Sequence, residues 1–368
     1  MLTVANVIDY LEQFAPKQLA ASWDNVGLLL GDRAWPAERI VTCLTLTPDV
    51  AAEAVAAQAG LIVTHHPILF RAVQKLTADN AEGRMLLALA AAKTAVYSPH
   101  TAFDNTRGGI NDLLAGKMGL TDVQPLRPAS AAAQCKVVVF VPDSDLGKVS
   151  DALFAAGAGR IGEYAECCFR LAGTGTFFGS DAANPTVGMK GRREEVSEWR
   201  LEVICPEAQV DRVIQAMRKA HSYEEPAFDV YPLRSGPGAT GDGRLGRLPQ
   251  AAKLADLAAI LREQLQCPAI QVVGDVMKSV AAVAIVCGAG GELLKDAIRA
   301  RADVFLTGEA RFHDYLAAQT AGVALLLPGH YATERCGIEE LATKIQTQWP
   351  DAKVWASIAE HDPVTWLT

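Results

Sequence analysis

The sequence predicts an α/β core interrupted by an inserted ferredoxin-like α+β domain. Helical stretches alternate with short all-apolar strands near both ends of the chain, the pattern of a sheet covered by helices on both faces. In the middle, the pattern becomes β-rich and punctuated by glycine. A glycine-rich run over 235–243 closes that stretch, and the earlier alternation then resumes. At 368 residues the chain is long for one hydrophobic core. The expected division is 1–127, 128–235 and 236–368, with the first and third parts forming one domain around the second.

Thr3 is placed to cap a first helix whose residues Val4, Val7, Ile8 and Leu11 recur at helical spacing and which ends before Pro16. The loop Ser22-Trp-Asp-Asn-Val-Gly-Leu28 reads equally as turn chemistry or as a site-facing loop. A buried strand is expected over 40–46, then an alanine-rich helix opened by Thr47-Pro-Asp49. Leu61-Ile-Val-Thr64 is the next strand, and it runs straight into His65-His66-Pro67. A helix over 81–93 and a strand over 94–98 follow, the strand ending in the polar cluster 99–105.

In the middle stretch, β-rich segments over 136–141, 157–162, 173–178 and 200–204 interleave with helices near 145–156 and 208–220. Strand, helix, strands, helix, strand is the ferredoxin-like order. Beyond it, strands over 280–287, 304–307 and 324–327 each end in a glycine-containing turn. A last helix opens at His330 and is expected to run to residue 348.

Half of the residues are hydrophobic and 21% are charged, which places the chain among ordinary globular proteins. Lys and Arg total 34 against 42 Asp and Glu, a formal charge of −8. With no basic run to track a phosphate backbone, nucleic acid is disfavoured as a partner. The N-terminal segment has neither a basic nor an apolar leader region, and no apolar run is long enough to span a bilayer. A cytoplasmic location without membrane partners is therefore expected. The eight cysteines include no Cys-x-x-Cys pair and read as mostly buried thiols of a reducing compartment, with the adjacent Cys167 and Cys168 poorly placed to bridge each other.

Four of the seven histidines, His65, His66, His100 and His330, follow apolar strands, and carboxylates stand at short spacing from them. Two imidazoles at the end of a buried strand need something on their nitrogens. His330 and Glu334, four apart on a helix, can reach one point. A glutamate can bridge two cations while imidazole supplies a terminal ligand. Together His65, His66, Asp104, His330 and Glu334, with His100 close by, suffice for two divalent ions with open positions. Glu309 and His313 form a second pair four apart, read as supporting or acid/base groups. Gly288-Ala-Gly-Gly291 reads as a tight turn over a phosphate cradle. His221-Ser-Tyr-Glu-Glu-Pro226 reads as a helix-ending turn with solvated carboxylates in preference to a metal or partner site.

The ordered set Trp23-Asp-Asn-Val-Gly27, Thr64-His-His-Pro67, His100-Thr-Ala-Phe-Asp104, Thr307-Gly-Glu309 and Gly329-His-Tyr-Ala-Thr-Glu334 resembles the NIF3 family, also called GTP cyclohydrolase 1 type 2 or DUF34. Gly159-Arg-Ile-Gly162, Asn184-Pro185 and the 221–226 motif resemble its longer members, which carry a PII-like or CutA-like insert. Many of them have proline where this chain has Ser222. The resemblance implies a two-lobed α/β core, a toroidal homo-hexamer and a dinuclear site. His65, His66, Asp104, His330 and Glu334 match the ligands, with Glu334 as the bridge.

The function expected from this is a metal-dependent hydrolase acting on a small molecule such as a nucleotide. Two divalent ions, zinc, iron or manganese, serve as cofactors, and His100 or Glu309 moves protons. The rival is a non-enzymatic, metal-binding regulatory or chaperone-like assembly in which the insert senses a ligand or partner. A metallonuclease is disfavoured by the negative charge.

Overall fold

The computed structural model describes residues 1–130, 133–234 and 236–367; Ser235, where the expected linker begins, lies outside them. The first stretch folds as α1 (Val4–Phe14), β1 (Gly27–Leu30), β2 (Arg39–Cys43), α2 (Pro48–Ala56), β3 (Leu61–Thr64), α3 (Ala81–Ala91), β4 (Ala95–Ser98), α4 (His100–Asn105), α5 (Ile110–Lys117), β5 (Thr121–Gln124) and β6 (Arg127–Ser130). The middle folds as β7 (Gln134–Pro142), α6 (Leu146–Ala155), β8 (Cys168–Phe178), β9 (Arg193–Pro206), α7 (Val210–Ala220) and β10 (Phe228–Pro232). The remainder comprises β11 (Pro237–Asp242), β12 (Arg244–Lys253), α8 (Leu254–Leu265), β13 (Gln271–Val273), β14 (Ser279–Val286), α9 (Leu294–Arg299), β15 (Val304–Thr307), α10 (Phe312–Ala321), β16 (Ala324–Leu327), α11 (His330–Gln348) and β17 (Lys353–Ala356). Two compact units result: Met1–Ala129 with Ala239–Thr368, and Ser130–Gly238.

The larger unit contains two large sheets besides the two-stranded pair β11-β6. One has the order β1-β4-β3-β2-β17, the other β13-β16-β15-β14-β12-β5. Their inner strands run parallel, whereas β1, β13, β12 and β5 join antiparallel. Period-two alternation assigns each strand two apolar faces. In the first sheet Ile40, Leu61, Val63 and Tyr97 face a central layer, while Val41, Ile62 and Val96 face α2 and α3. In the second, Val283, Ile285, Val304 and Leu326 face the same central layer, while Ala284, Phe305 and Leu325 face α9 and α10. α1, α5, α8 and α11 fill that layer through Val7, Ile8, Leu114, Leu257, Leu341 and Ile345. Thr3 caps α1 through a reciprocal pair of hydrogen bonds with Asn6.

Arg244 ties the two halves of this unit together from a buried position. Its guanidinium pairs with Asp112 and donates to the carbonyls of Asn105, Thr106, Gly241 and Gly243 at 2.7–3.2 Å. At the other end of the unit, Glu360 accepts from the amides of Leu44 and Thr45 and from Arg335.

The smaller unit is a four-stranded antiparallel sheet of order β10-β7-β9-β8. That is the ferredoxin-like order. Val137, Val139, Val141, Leu201 and Val203 pack under α6 and α7, which leaves the other sheet face without helices.

Three sequence expectations change. The 99–105 cluster is largely the short helix α4. The glycine-rich run is mostly strand β11, where Gly241 lies so close to Arg127 that a Cβ would sit 2.2 Å from its carbonyl oxygen. Gly157–Gly162 is a turn, with Gly157, Gly159 and Gly162 at positive φ and Ile161 bridging only to Tyr164. Among the described residues, no helix is long and apolar enough to cross a membrane.

Arg244→Met is expected to destabilise the protein by about 3–5 kcal/mol, because a partly buried carboxylate and four carbonyls lose one donor together. Urea unfolding checks this; a loss below about 1 kcal/mol would show that water replaces the guanidinium.

Candidate metal centre

The site forms where the carboxyl ends of β3, β4, β14, β15 and β16 come together. His65 and His66 extend β3, their amides bonding to the carbonyls of Cys43 and Leu44 at 2.9 and 2.8 Å. Hydroxyls fix the same backbone from the other side: Ser98 donates to the His65 carbonyl at 2.6 Å and Thr64 to that of His66 at 3.0 Å. α4 carries His100 and Asp104 one turn apart, and α11 carries His330 and Glu334 likewise.

Glu334 is the meeting point. Its Oε2 lies 3.0 Å from His66 Nε2 and 3.0 Å from His330 Nε2, while its Oε1 lies 3.9 Å from His65 Nε2. Asp104 Oδ1 is 3.5 Å from His65 Nε2 and accepts from the Cys287 thiol at 3.1 Å. Two groups bring their ligand atoms within 4.8 Å of one another: His65, His66 and His100, and His66, His330 and Glu334. His65 is fully buried, and neither of its ring nitrogens has a hydrogen-bond partner. Buried polar groups are normally satisfied, so an orphaned Nε2 with carboxylate oxygens at 3.5 and 3.9 Å fits a ligand for a cation.

The electrostatics agree with that fit. Burial pushes His65 well below its ordinary value and keeps it neutral, as a ligand must be. Burial and the neighbouring Glu334 push Asp104 up, whereas hydrogen bonds from His330 and His66 outweigh burial and hold Glu334 below the carboxylate range. Burial opposes charge on His330, but Glu334 and Glu309 overcome it and raise the imidazole to about 9. Two carboxylates buried this closely call for positive charge, which protons supply in the metal-free protein.

Glycine clears the space. Gly288 has φ +61°, and a Cβ there would fall 2.1 Å from Glu334 Oε1. The amides of Gly288 and Gly290 bond to the Thr333 and Thr307 hydroxyls at 3.0 and 2.9 Å. The glycine loop is thus a tight turn that admits the glutamate, with two of its amides already taken.

Around this centre, Asp24 is the residue that sequence reasoning left open between turn and site. Its fully buried carboxylate accepts from His100 Nδ1 at 2.7 Å and from the Thr101 amide at 3.1 Å and its hydroxyl. Burial alone would raise it, but these bonds lower it to about 2, and His100 is raised in turn despite its own burial. His100 therefore presents Nε2 toward His65 and His66, whose rings lie 5.1 and 5.7 Å away, and its backbone takes φ +29°. Glu309 Oε1 meets His330 Nδ1 at 3.1 Å, whereas His313 is exposed on α10 and joins neither ligand group. Thr45, Cys287 and Thr333 are contacts the sequence did not flag; Thr45 and Cys287 lie within two positions of a strand end, and Thr333 lies inside α11. A cavity of about 590 Å³ opens beside His66, Glu309 and His330, walled on one side by Trp366.

Residues 2–363 match a family model described as Duf34/NIF3 (NGG1p interacting factor 3). The chain belongs to the DUF34/NIF3 family. A relative from Halalkalibacterium halodurans, named GTP cyclohydrolase 1 type 2 homolog, is 37% identical over 364 residues, 98% of each chain. A Bacillus subtilis relative of the same name is 35% identical over 365 residues, again 98% of each. Among solved structures, a Bacillus cereus protein related to NIF3 is 34% identical with TM-score 0.81, covering 99% of both chains. A Staphylococcus aureus protein, 27% identical with TM-score 0.86, covers 100% of this chain and 99% of its own. These two are NIF3-like neighbours of the whole α/β architecture.

His65→Leu is expected to leave the metal-free protein at least as stable, since it removes two unpartnered nitrogens whose burial costs about 1–3 kcal/mol each. The stabilisation gained on adding zinc should vanish in the same variant. Thermal unfolding with and without zinc reads both signs, and a large loss of metal-free stability would make His65 an ordinary packing residue.

Proposed function

We propose that the protein is a metal-dependent hydrolase with a dinuclear site held by His65, His66, Asp104, His330 and Glu334. The observation that carries this reading is His65, fully buried with its Nε2 unpartnered opposite two carboxylates. The two oxygens of Glu334 face different partners: Oε1 faces His65 on the Asp104 side, and Oε2 faces His66 and His330. That division supports two ions bridged by one carboxylate, and zinc, iron or manganese all suit the donor set. Bound at these residues, divalent ions would supply an acidified water near neutral pH and polarisation of an electrophile.

The remaining roles belong to the chain itself. Asp24 orients His100 so that Nε2 is the atom that takes or returns a proton. Glu309 holds His330 Nδ1 and borders the cavity, so it can exchange protons with a bound substrate. The cavity of about 590 Å³ admits a molecule of nucleotide size. Guanosine triphosphate is the candidate that the relatives' names supply, and a homo-hexamer is the expected assembly.

Stripping metal should abolish turnover, and a divalent ion should restore it. No turnover by metal-loaded protein across nucleotide and phosphoester panels would sink the hydrolase reading. Elemental analysis of His66→Ala should show lost metal with the fold retained, and a full metal complement would undo the ligand assignment. Asp24→Asn should lower turnover about 10- to 100-fold while metal is kept; wild-type turnover would remove His100 from the proton path.

A further inference from the structure

The three histidines assigned as ligands differ at the ring nitrogen turned away from Glu334. His330 Nδ1 meets the Glu309 carboxylate at 3.1 Å, and His65 meets no hydrogen-bond partner. His66 presents Nε2 to Glu334 at 3.0 Å, and its Nδ1 meets a neutral hydroxyl, that of Thr45, at 2.7 Å. Thr45 stands on the turn between β2 and α2.

A hydroxyl suits that position. A ring that ligates through Nε2 carries its hydrogen on Nδ1, and Thr45 Oγ1 can accept it. When the hydrogen sits on Nε2 and goes to Glu334, the same hydroxyl rotates and donates to Nδ1. Thr45 therefore holds the ring in one orientation in both tautomers, which neither a carbonyl nor a backbone amide could do.

Such a bond orients a ring only if its own backbone is fixed, and the chain fixes this turn from three sides. The Leu44 carbonyl accepts from the His66 amide at 2.8 Å, which ties the turn to the end of β3. Thr47 caps α2, its hydroxyl accepting from the Val50 amide at 3.3 Å. The amides of Leu44 and Thr45 donate to the two carboxylate oxygens of Glu360 at 2.8 and 2.5 Å. Glu360 comes from the segment beyond β17, 315 positions from Thr45, and its side chain is only 3% exposed. Arg335 pairs with it and donates to the Ser357 carbonyl at 3.0 Å, which fixes the segment in turn. Arg335 directly follows Glu334, so Glu360 grips both the turn that orients His66 and the helix that carries the carboxylate opposite it.

We propose that Thr45 is a positioning residue for His66, and that Glu360 acts through Thr45 to set how tightly the site holds the ion at His66. This rests on the reading of His66 as a metal ligand. A packing role does not account for Thr45, which is exposed and borders two cavities that also share His66. Groups that orient a ligating imidazole change metal affinity when removed, although they never touch the ion.

The test reads zinc affinity of the full-length protein by competition with a chromophoric chelator. His66→Ala identifies the binding step that His66 serves. Thr45→Val keeps the shape, removes the hydroxyl and should weaken that same step about 10-fold with the metal-free fold retained. Thr45→Ser should restore it to within about 2-fold. Glu360→Gln should weaken the step about 3-fold or more, but should add nothing in the Thr45→Val background, because both changes act on one ring. An unchanged step in Thr45→Val, with the step lost in His66→Ala, overturns this proposal and leaves the ligand assignment standing. Retention of every step in His66→Ala overturns both. A Thr45→Ser variant as weak as Thr45→Val would overturn the positioning role, and full additivity of Glu360→Gln with Thr45→Val would overturn the link from Glu360.

Discussion

The larger unit depends on one constraint: two carboxylates, the buried Glu334 and the partly buried Asp104, lie within reach of His65, His66 and His330. A buried carboxylate is costly unless charge and hydrogen bonds meet it. Glu334 is met by two imidazoles at 3.0 Å, whereas Asp104 is met by a thiol and lies 3.5 Å from an imidazole that does not bond to it. The strand-end hydroxyls, the positive-φ glycine at 288 and the sharp entry into α11 all serve this placement. Little of that arrangement would be needed for packing alone.

The two sheets provide the rigidity that such a site demands. Each buries both faces, and they share the layer of α1, α5, α8 and α11. α11 begins at the site and ends deep in that layer, so a movement of His330 would be resisted by Leu341 and Ile345. Arg244 joins β12 to the α4–α5 corner, which fixes the helix carrying His100 and Asp104. Asp24 then sets the ring of His100 from a loop remote in sequence. The network runs from core packing to a single imidazole nitrogen through contacts that each restrict one degree of freedom.

The parallel strands were legible because a strand buried on both faces is apolar throughout: Leu61–Thr64, Val304–Thr307 and Ala324–Leu327 stand out against polar surroundings. The edge strands were not. β5 is exposed along its whole length, and β13, with two valines in three residues, is too short to show a period. β11 was hidden by its glycines, which usually mark loops but here permit close approach to Arg127. At the site, histidines after apolar strands were conspicuous, and so were carboxylates four residues from them. Cys287 was not, since a thiol ending an apolar strand looks like any core cysteine. His313 shares Glu309's spacing rule yet points elsewhere, because α10 begins only at Phe312 and the pair straddles its start.

The sequence by itself determined which residue types end each strand, the helix that pairs His330 with Glu334, and the interruption of one pattern by another. Those properties are local: they follow from periodicity of two or 3.6 and from spacing along a single element. Only the tertiary structure decided that Glu334 faces His66 from 268 positions away, that Asp24 turns His100 inward, and that Tyr223 lies beside Glu198. These pairings depend on which strand ends share a sheet edge and on how two sheets clasp one layer of helices. Distance in space between such residues carries no trace in the spacing of the chain.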